Sequence, residues 1–186
     1  YREAARLDAP RAMTWIGDLF RFGRGVKKDL NKAIRWYRKA AAWNDAVALN
    51  ALGVLHDRGQ GLPEDHEKAM RFYRRAAAQH DPTGQYNLGV LYLEPDEGQV
   101  DFHEARQWLG KAAEADHTDA MFSLASMYET GRGGPRSYEG AMKWYQKAAE
   151  QGHARAMARI GDLYRDGLGV EADQRKAKKW YRKAKK

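Results

Sequence analysis

Residues 52–77 read LGVLHDRGQGLPEDHEKAMRFYRRAA, and this stretch returns along the whole chain. Its opening pair, Leu52-Gly53, has counterparts in Ile16-Gly17, Leu88-Gly89, Leu124-Ala125 and Ile160-Gly161, each 36 residues from the next with no insertion or deletion. Its closing half keeps the same step: Trp36, Phe72, Trp108, Trp144 and Trp180 are in phase, as are Ala33, Ala69, Ala105, Ala141 and Ala177. A fixed period of this length marks a repeat architecture and decides the fold before local propensity does.

Within a unit, apolar and small residues recur three and four apart, as in Ala48, Leu52, Leu55 and again Ala69, Phe72, Tyr73, Ala76. That is helical periodicity on both sides of a glycine-bearing break, so each unit is a pair of helices. The break Gly59-Gln60-Gly61-Leu62 recurs as Gly23-Arg24-Gly25-Val26 and Gly167-Leu168-Gly169-Val170. Glycine supplies the positive φ values that end a helix and reverse the chain. Asp29, Asp65, Asp101, Ser137 and Asp173 stand where an N-cap accepts from the free amides of the second helix. A tighter junction joins the units, with Asn44, His80, Asp116 and Gly152 at the expected left-handed position, and Pro10 and Pro82 at the expected start of first helices. The expected fold is all-α, a right-handed α/α superhelix (solenoid) of five 36-residue helix-turn-helix repeats, with units at 10–45, 46–81, 82–117, 118–153 and 154–186. Tyr1-Arg2-Glu3-Ala4-Ala5 is in register with Tyr37-Arg38-Lys39-Ala40-Ala41, so residues 1–9 are expected to be the tail of an upstream repeat and the chain a segment of a longer solenoid.

The string Leu52 to His56, then Gly59-Gln60-Gly61-Leu62, Asp65, Lys68-Ala69 and Phe72 to Ala77 resembles the Sel-1-like repeat (SLR) family, a relative of the tetratricopeptide repeat. Tetratricopeptide units run about 34 residues. They also lack the double-glycine loop, so the longer step favours the Sel-1-like subclass. The third unit departs from the pattern, with Glu94-Pro95-Asp96-Glu97-Gly98 in place of the glycine loop. The resemblance implies a non-catalytic adaptor or scaffold for a protein or peptide partner, often bacterial, with an immunity or anti-effector role as one form. Cysteine-rich members are poor analogues, since this chain contains none.

Composition narrows the function classes. The absence of cysteine removes disulfides and thiolate chemistry but leaves cytoplasm and periplasm both open; the resemblance leans toward the cell envelope. No apolar run approaches the roughly 20 residues that span a bilayer, so membrane insertion is not expected. The six histidines form no metal-ligand spacing, and His56 reads as a core aromatic, while His80, His117 and His153 belong to junction turns. Gly-x-Gly between helices, with no preceding strand and no Lys-Ser/Thr, reads as a turn and not a phosphate loop. No cofactor, metal or catalytic residue is expected.

Two surfaces remain as candidates. By register with tetratricopeptide repeats, groove-facing positions on the first helices lie three before the glycine, one after it, and four or five after it. In the outer units they are polar: Thr14, Asp18 and Arg21 at one end, Asp162, Arg165 and Asp166 at the other. In the middle they read Asn50, Val54, Asp57 and Arg58, then Tyr86, Val90, Leu93 and Glu94, then Phe122, Ser126, Glu129 and Thr130. Apolar residues rimmed by charge suit a protein interface, with Asn50 placed to clamp a peptide backbone. If curvature instead closes the groove, Val54, Tyr86, Val90 and Phe122 become fully buried core.

The second candidate is the convex face. At the positions of Arg35, Arg38 and Lys39, the five units supply twelve basic residues out of fifteen, among them Arg71, Arg74, Lys179 and Arg182. With a net charge of +8, this could serve an acidic protein, lipid headgroups or nucleic acid. Lys and Arg late in a helix also favour its negative dipole end, which needs no ligand. Nucleic acid is the least expected partner, since the pentatricopeptide repeats that read RNA lack the glycine loop. The tryptophan series is assigned to packing between helix pairs.

Overall fold

The computed structural model describes residues 2–93 and 100–185, with side chains from residue 9 onward. The acidic turn 94–98 and the groove position Glu94 therefore lie outside the described residues. Among those described, ten helices form: α1 (Arg2–Phe22), α2 (Leu30–Ala42), α3 (Ala46–Asp57), α4 (His66–Ala77), α5 (Pro82–Leu93), α6 (Phe102–Glu114), α7 (Thr118–Thr130), α8 (Tyr138–Glu150), α9 (Ala154–Asp166) and α10 (Gln174–Ala184). The chain divides within α5 into two compact units, one up to Leu88 and one from Gly89.

Local chemistry sets the helix ends. Asp29, Asp65, Asp101, Ser137 and Asp173 each accept from a first-turn amide of the second helix, those of Lys32, Lys68, Glu104, Gly140 and Lys176 respectively. The backbone amides of Lys32 and Lys176 hold the Asp29 and Asp173 carboxyls below the ordinary range, and the Lys68 side chain does so first for Asp65. First helices are capped in the same way, by Asp45, Asp81 and, through Nδ1, by His117 and His153. The junction residues Asn44, His80 and Asp116 take φ of 62°, 58° and 62°, the left-handed geometry their register predicts.

Residues 2–22 depart from the register, because α1 runs straight through the expected junction and places Pro10 inside the helix. Where the other junctions offer Asp45, Asp81, His117 or His153 as a cap, this one has Ala9, which carries no acceptor to start a new helix.

The core lies between the paired helices. Tyr37, Tyr73 and Tyr145 are fully buried, as is Leu109 at the same position of the third pair. Gly17 and Gly53 let the first two rings in and Gly161 admits Tyr181: a Cβ on Gly53 would stand 2.5 Å from Tyr73 Cε1, and one on Gly161 2.6 Å from Tyr181 Cε1. The filler role expected of the tryptophans thus belongs to the next residue in sequence. On a helix that step turns the side chain by about 100°, and Trp36, Trp108, Trp144 and Trp180 are only half-buried. Each carries a lysine three residues on, with Lys39, Lys111, Lys147 and Lys183 at 4.6, 3.9, 4.5 and 4.1 Å from the ring centroids.

Candidate functional site

Each first helix carries its groove positions on one stripe, and the structure leaves Val54, Tyr86, Val90, Leu93, Phe122 and Ser126 half-buried, neither sealed in the core nor fully open. α5 is distinctive. It contains no charged residue, and Tyr86, Val90 and Leu93 follow one another four and three apart along a single half-exposed face.

The groove carboxylates have intramolecular work. Tyr37 Oη donates to Asp18 at 2.6 Å, Tyr145 Oη to Glu129 at 2.7 Å and Tyr181 Oη to Asp162 at 2.8 Å. Asp57 lies near enough to the Tyr73 hydroxyl to act on it electrostatically, after burial. Burial first, and these carboxylates after it, push the Tyr37 and Tyr145 hydroxyls well above the ordinary phenol range. Burial does the same for Tyr73. Glu129 also accepts from Arg159 of the following pair at 2.6 Å, and Arg159 reaches Asp162 at 3.2 Å. Asp57 and Glu129 are therefore positioning groups for the tyrosines.

Sequence reading missed this tyrosine–acid pairing, yet the signal was present. The four units with tyrosine after the aromatic carry an acid one or four residues past the Gly/Ala position. The third unit has Leu109 there, and Val90 and Leu93 in place of the acid. With no hydroxyl to satisfy, that unit needs no carboxylate, and its first helix stays apolar.

In the first unit the position three before the glycine faces the start of the next pair's first helix, not open solvent. Thr14, expected on the groove, is 2% exposed and donates to Asp45 at 2.9 Å. A hydroxyl this short cannot reach past the neighbouring helix N-terminus. Asn50 accepts through its side-chain oxygen from Asn87 Nδ2 at 2.8 Å, which occupies the acceptor half of the proposed clamp. Phe122 stacks on His153 at 4.7 Å, and Arg155 lies 5.2 Å over its ring.

On the second helices Arg35, Arg38, Arg71, Arg74, Lys179 and Arg182 are all exposed. Lys32, Arg35, Trp36, Arg38 and Lys39 line a shallow hollow of about 380 Å³ on α2, and Lys68, Arg71, Phe72 and Arg75 one of about 310 Å³ on α4. Arg71 is shared with Glu67 at 3.3 Å. His56 is buried and stacks on Phe72 at 5.7 Å, the core role its register predicts. Among the described residues no group of three His, Cys, Asp or Glu is placed to hold a metal ion, and no helix is long and apolar enough to cross a membrane.

Paired helices of one period, capped alike, define an α/α solenoid repeat of the kind that serves as a protein-interaction scaffold. The Sel1 repeat profile matches residues 10–42, 46–81, 82–117, 118–153 and 154–186, and the chain belongs to the Sel1 repeat family. It is similar to a protective antigen of uropathogenic Escherichia coli strains that displays an SLR fold, at 35% identity and a TM-score of 0.91 over 99% of this chain. A Sel1 repeat protein of Oxalobacter formigenes follows at 31% identity and a TM-score of 0.88 over 95% of this chain. The chain spans 39% of the Escherichia coli protein and 70% of the Oxalobacter one. An immunity protein of Pseudomonas aeruginosa, 22% identical with a TM-score of 0.63 over 99% of this chain and 70% of its own, shares the fold. Comparison with the curated proteins finds no match.

Proposed function

We propose that this chain is a non-catalytic scaffold that receives a peptide or partner protein on the groove face of its first helices, with α5 as the anchor. The observation that carries the reading is the uncharged stripe Tyr86, Val90, Leu93, half-exposed on a helix whose counterparts spend acids on tyrosines. An apolar stripe without carboxylates to desolvate can be covered at low cost, which is what an interface core requires. The same register holds Val54 on α3 in the first compact unit and Phe122 and Ser126 on α7 in the second, while Asn50, Asp57 and Glu129 act as internal supports of their own helices.

A photo-cross-linking side chain placed singly at positions 54, 90, 35 and 71 tests it. The expected result is partner adducts at 54 and 90 that are absent at 35 and 71, and that Val90→Arg abolishes without altering helix content. Adducts confined to 35 and 71 would instead support binding of an anionic partner in the basic hollows of α2 and α4. Heparin retention surviving near-physiological salt, and lost on charge reversal of Arg35, Arg71 and Lys179, marks that second reading. An immunity role is the more specific form of the first, and predicts a toxic effector encoded beside this chain that co-purifies with it.

A further inference from the structure

Arg106 on α6 breaks the repeat in which it stands. The same register holds Ile34 on α2, Met70 on α4 and Met142 on α8, and Ile34 and Met142 are buried. Arg106 is half-buried in their place, and its Nη1 is withdrawn from solvent with no hydrogen-bond partner. A donor on a charged group left unpaired is a larger penalty than a neutral one. Isoleucine or methionine fills this register without it, so packing does not account for the arginine.

The turn between α7 and α8, Gly131-Arg132-Gly133-Gly134-Pro135-Arg136, lies against this guanidinium. A Cβ on Gly134 would collide with Arg106 Nη1, and one on Gly133, where φ is 73°, with the Phe102 carbonyl oxygen. Two successive glycines thus bring the backbone down onto α6. The Arg106 guanidinium carbon also lies 4.0 Å from the centre of the Tyr128 ring. Arg132 and Arg136, two residues to either side of Gly134 and both exposed, meet the rings of Phe102 at 5.3 Å and Tyr138 at 5.6 Å. Among the described residues, none of the three arginines has a hydrogen bond or an ion pair.

The same docking is made elsewhere without cations. A Cβ on Gly61 would meet Leu30 and Ile34, and one on Gly169 would meet Tyr138; those turns carry Gln60 and Glu64, and Leu168 and Ala172, at the positions of Arg132 and Arg136. The acids close to Arg106 in sequence are already engaged. Asp101 caps α6, Glu104 accepts from Trp108 Nε1 at 3.0 Å, and Glu129 accepts from Tyr145 and Arg159. Glu139, in the first turn of α8, is exposed and pairs with none of the three.

We propose that Arg106, Arg132 and Arg136 form a binding site for a phosphoryl-type oxyanion at the α7–α8 turn. Guanidinium groups donate in a planar fork that fits phosphate oxygens, and a dianion suits three cations with no carboxylate paired among them. The aromatic rings hold these guanidiniums through their charge and leave the N–H donors free. Gly134 has no side chain to withdraw, so a small movement of the turn admits an oxygen to Nη1. The site shares no residue with the groove stripe or with the basic hollows of α2 and α4.

Inorganic phosphate titrated into the 186-residue chain at constant ionic strength tests this, with the amide resonances of Gly131, Gly133 and Gly134 as the readout. They should move along one saturable curve; no movement, or movement without saturation, overturns the proposal. Arg106→Met, which installs the residue native to this register in α4 and α8, should weaken binding by about tenfold or more. Gly134→Ala, read at Gly131 and Gly133, should do the same while keeping every charge. Lys178→Met removes one exposed charge at the same register of α10 and should change the affinity by about twofold or less. In chloride buffer Arg106→Met should be at least as stable to urea as the parent, since the unpaired donor is gone. A clear loss of stability there, with binding unaffected by either variant, would make Arg106 a packing contact of Tyr128 and overturn the proposal. Acetate binding as tightly as phosphate would also overturn it, in favour of a carboxylate. O-phosphoserine separates the sources: affinity equal to that of phosphate supports the site with a phosphorylated side chain as its ligand, and exclusion supports it with a free anion.

Discussion

Two glycine-to-alanine exchanges should move stability in opposite directions. Gly110, inside α6, has nothing within 4 Å of the place a Cβ would take. Gly110→Ala therefore gains helix propensity of about 1 kcal/mol and costs nothing in packing. Gly53 sits inside α3, and its new Cβ would stand 2.5, 2.7 and 3.2 Å from Tyr73 Cε1, Cδ1 and Cζ. Comfortable carbon–carbon separation is about 3.5–4.0 Å, so the ring or the helix must give by about 1 Å. Tyr73 is 2% exposed, so the ring has nowhere to swing. Overpacking of this kind costs about 1–3 kcal/mol, which outweighs the propensity gain and leaves a net loss of up to about 2 kcal/mol. Urea denaturation followed by helix ellipticity reads both variants against the parent. A Gly53→Ala variant stabilised as much as Gly110→Ala would refute the claim that the glycine exists to admit the ring.

Three further outcomes follow from the tyrosine–acid pairs. Glu129→Ala and Tyr145→Phe, each made singly and then together, should couple by about 1–2 kcal/mol in a double-mutant cycle, since a buried hydroxyl–carboxylate bond is lost in either single variant; additive losses would show the two groups act apart. Tyr37, Tyr73 and Tyr145 keep their protons in the folded chain well beyond the ordinary range, whereas unfolded tyrosines release theirs near pH 10. The unfolded state then binds fewer protons, so stability should hold below about pH 10 and fall as pH rises above it, as denaturation midpoints measured from pH 8 to 11 would show; a flat profile would contradict the burial of these hydroxyls. In the third pair, Leu109→Tyr alone should lower the melting temperature by leaving a buried hydroxyl unpaired, and adding Val90→Asp, which restores the arrangement of Asp18 with Tyr37, should recover part of the loss; a further drop on adding the acid would mean the pairing is not transferable between units.

The sequence made the fold legible because each repeat states it again. One unit's glycines and caps are turn signals of ordinary strength, but Asp29, Asp65, Asp101, Ser137 and Asp173 at one step are five independent readings of the same helix start, and all five accept from first-turn amides. Failure came where an answer depended on what lies beyond one unit. Thr14 and Asn50 looked open from their own helix, and it is the next pair that covers them. α1 is continuous through its expected start, where the junction residue is Ala9 and offers no side-chain acceptor. The tryptophan series reads as core in the sequence because bulk and phase alone do not tell which of two adjacent residues, turned by about 100° from each other, faces inward.

The third pair shows how a packing constraint can create a candidate binding surface. Four units place a tyrosine against a glycine or alanine and must then supply an acid for its hydroxyl on the groove face; the third uses Leu109, whose Cγ would lie 2.8 Å from a Cβ on Gly89, and is released from that demand. Val90 and Leu93 are apolar for a reason internal to the fold, so their hydrophobicity alone is no proof of a partner. What packing does not explain is their exposure. A leucine that merely filled the space opposite Leu109 would be buried like Leu88 or Leu91 on the same helix, at 0% and 6%. Val90, Leu93 and Tyr86 stay half-open on the other face of α5 instead, and that difference between two faces of one uncharged helix is the reason to look for a partner there.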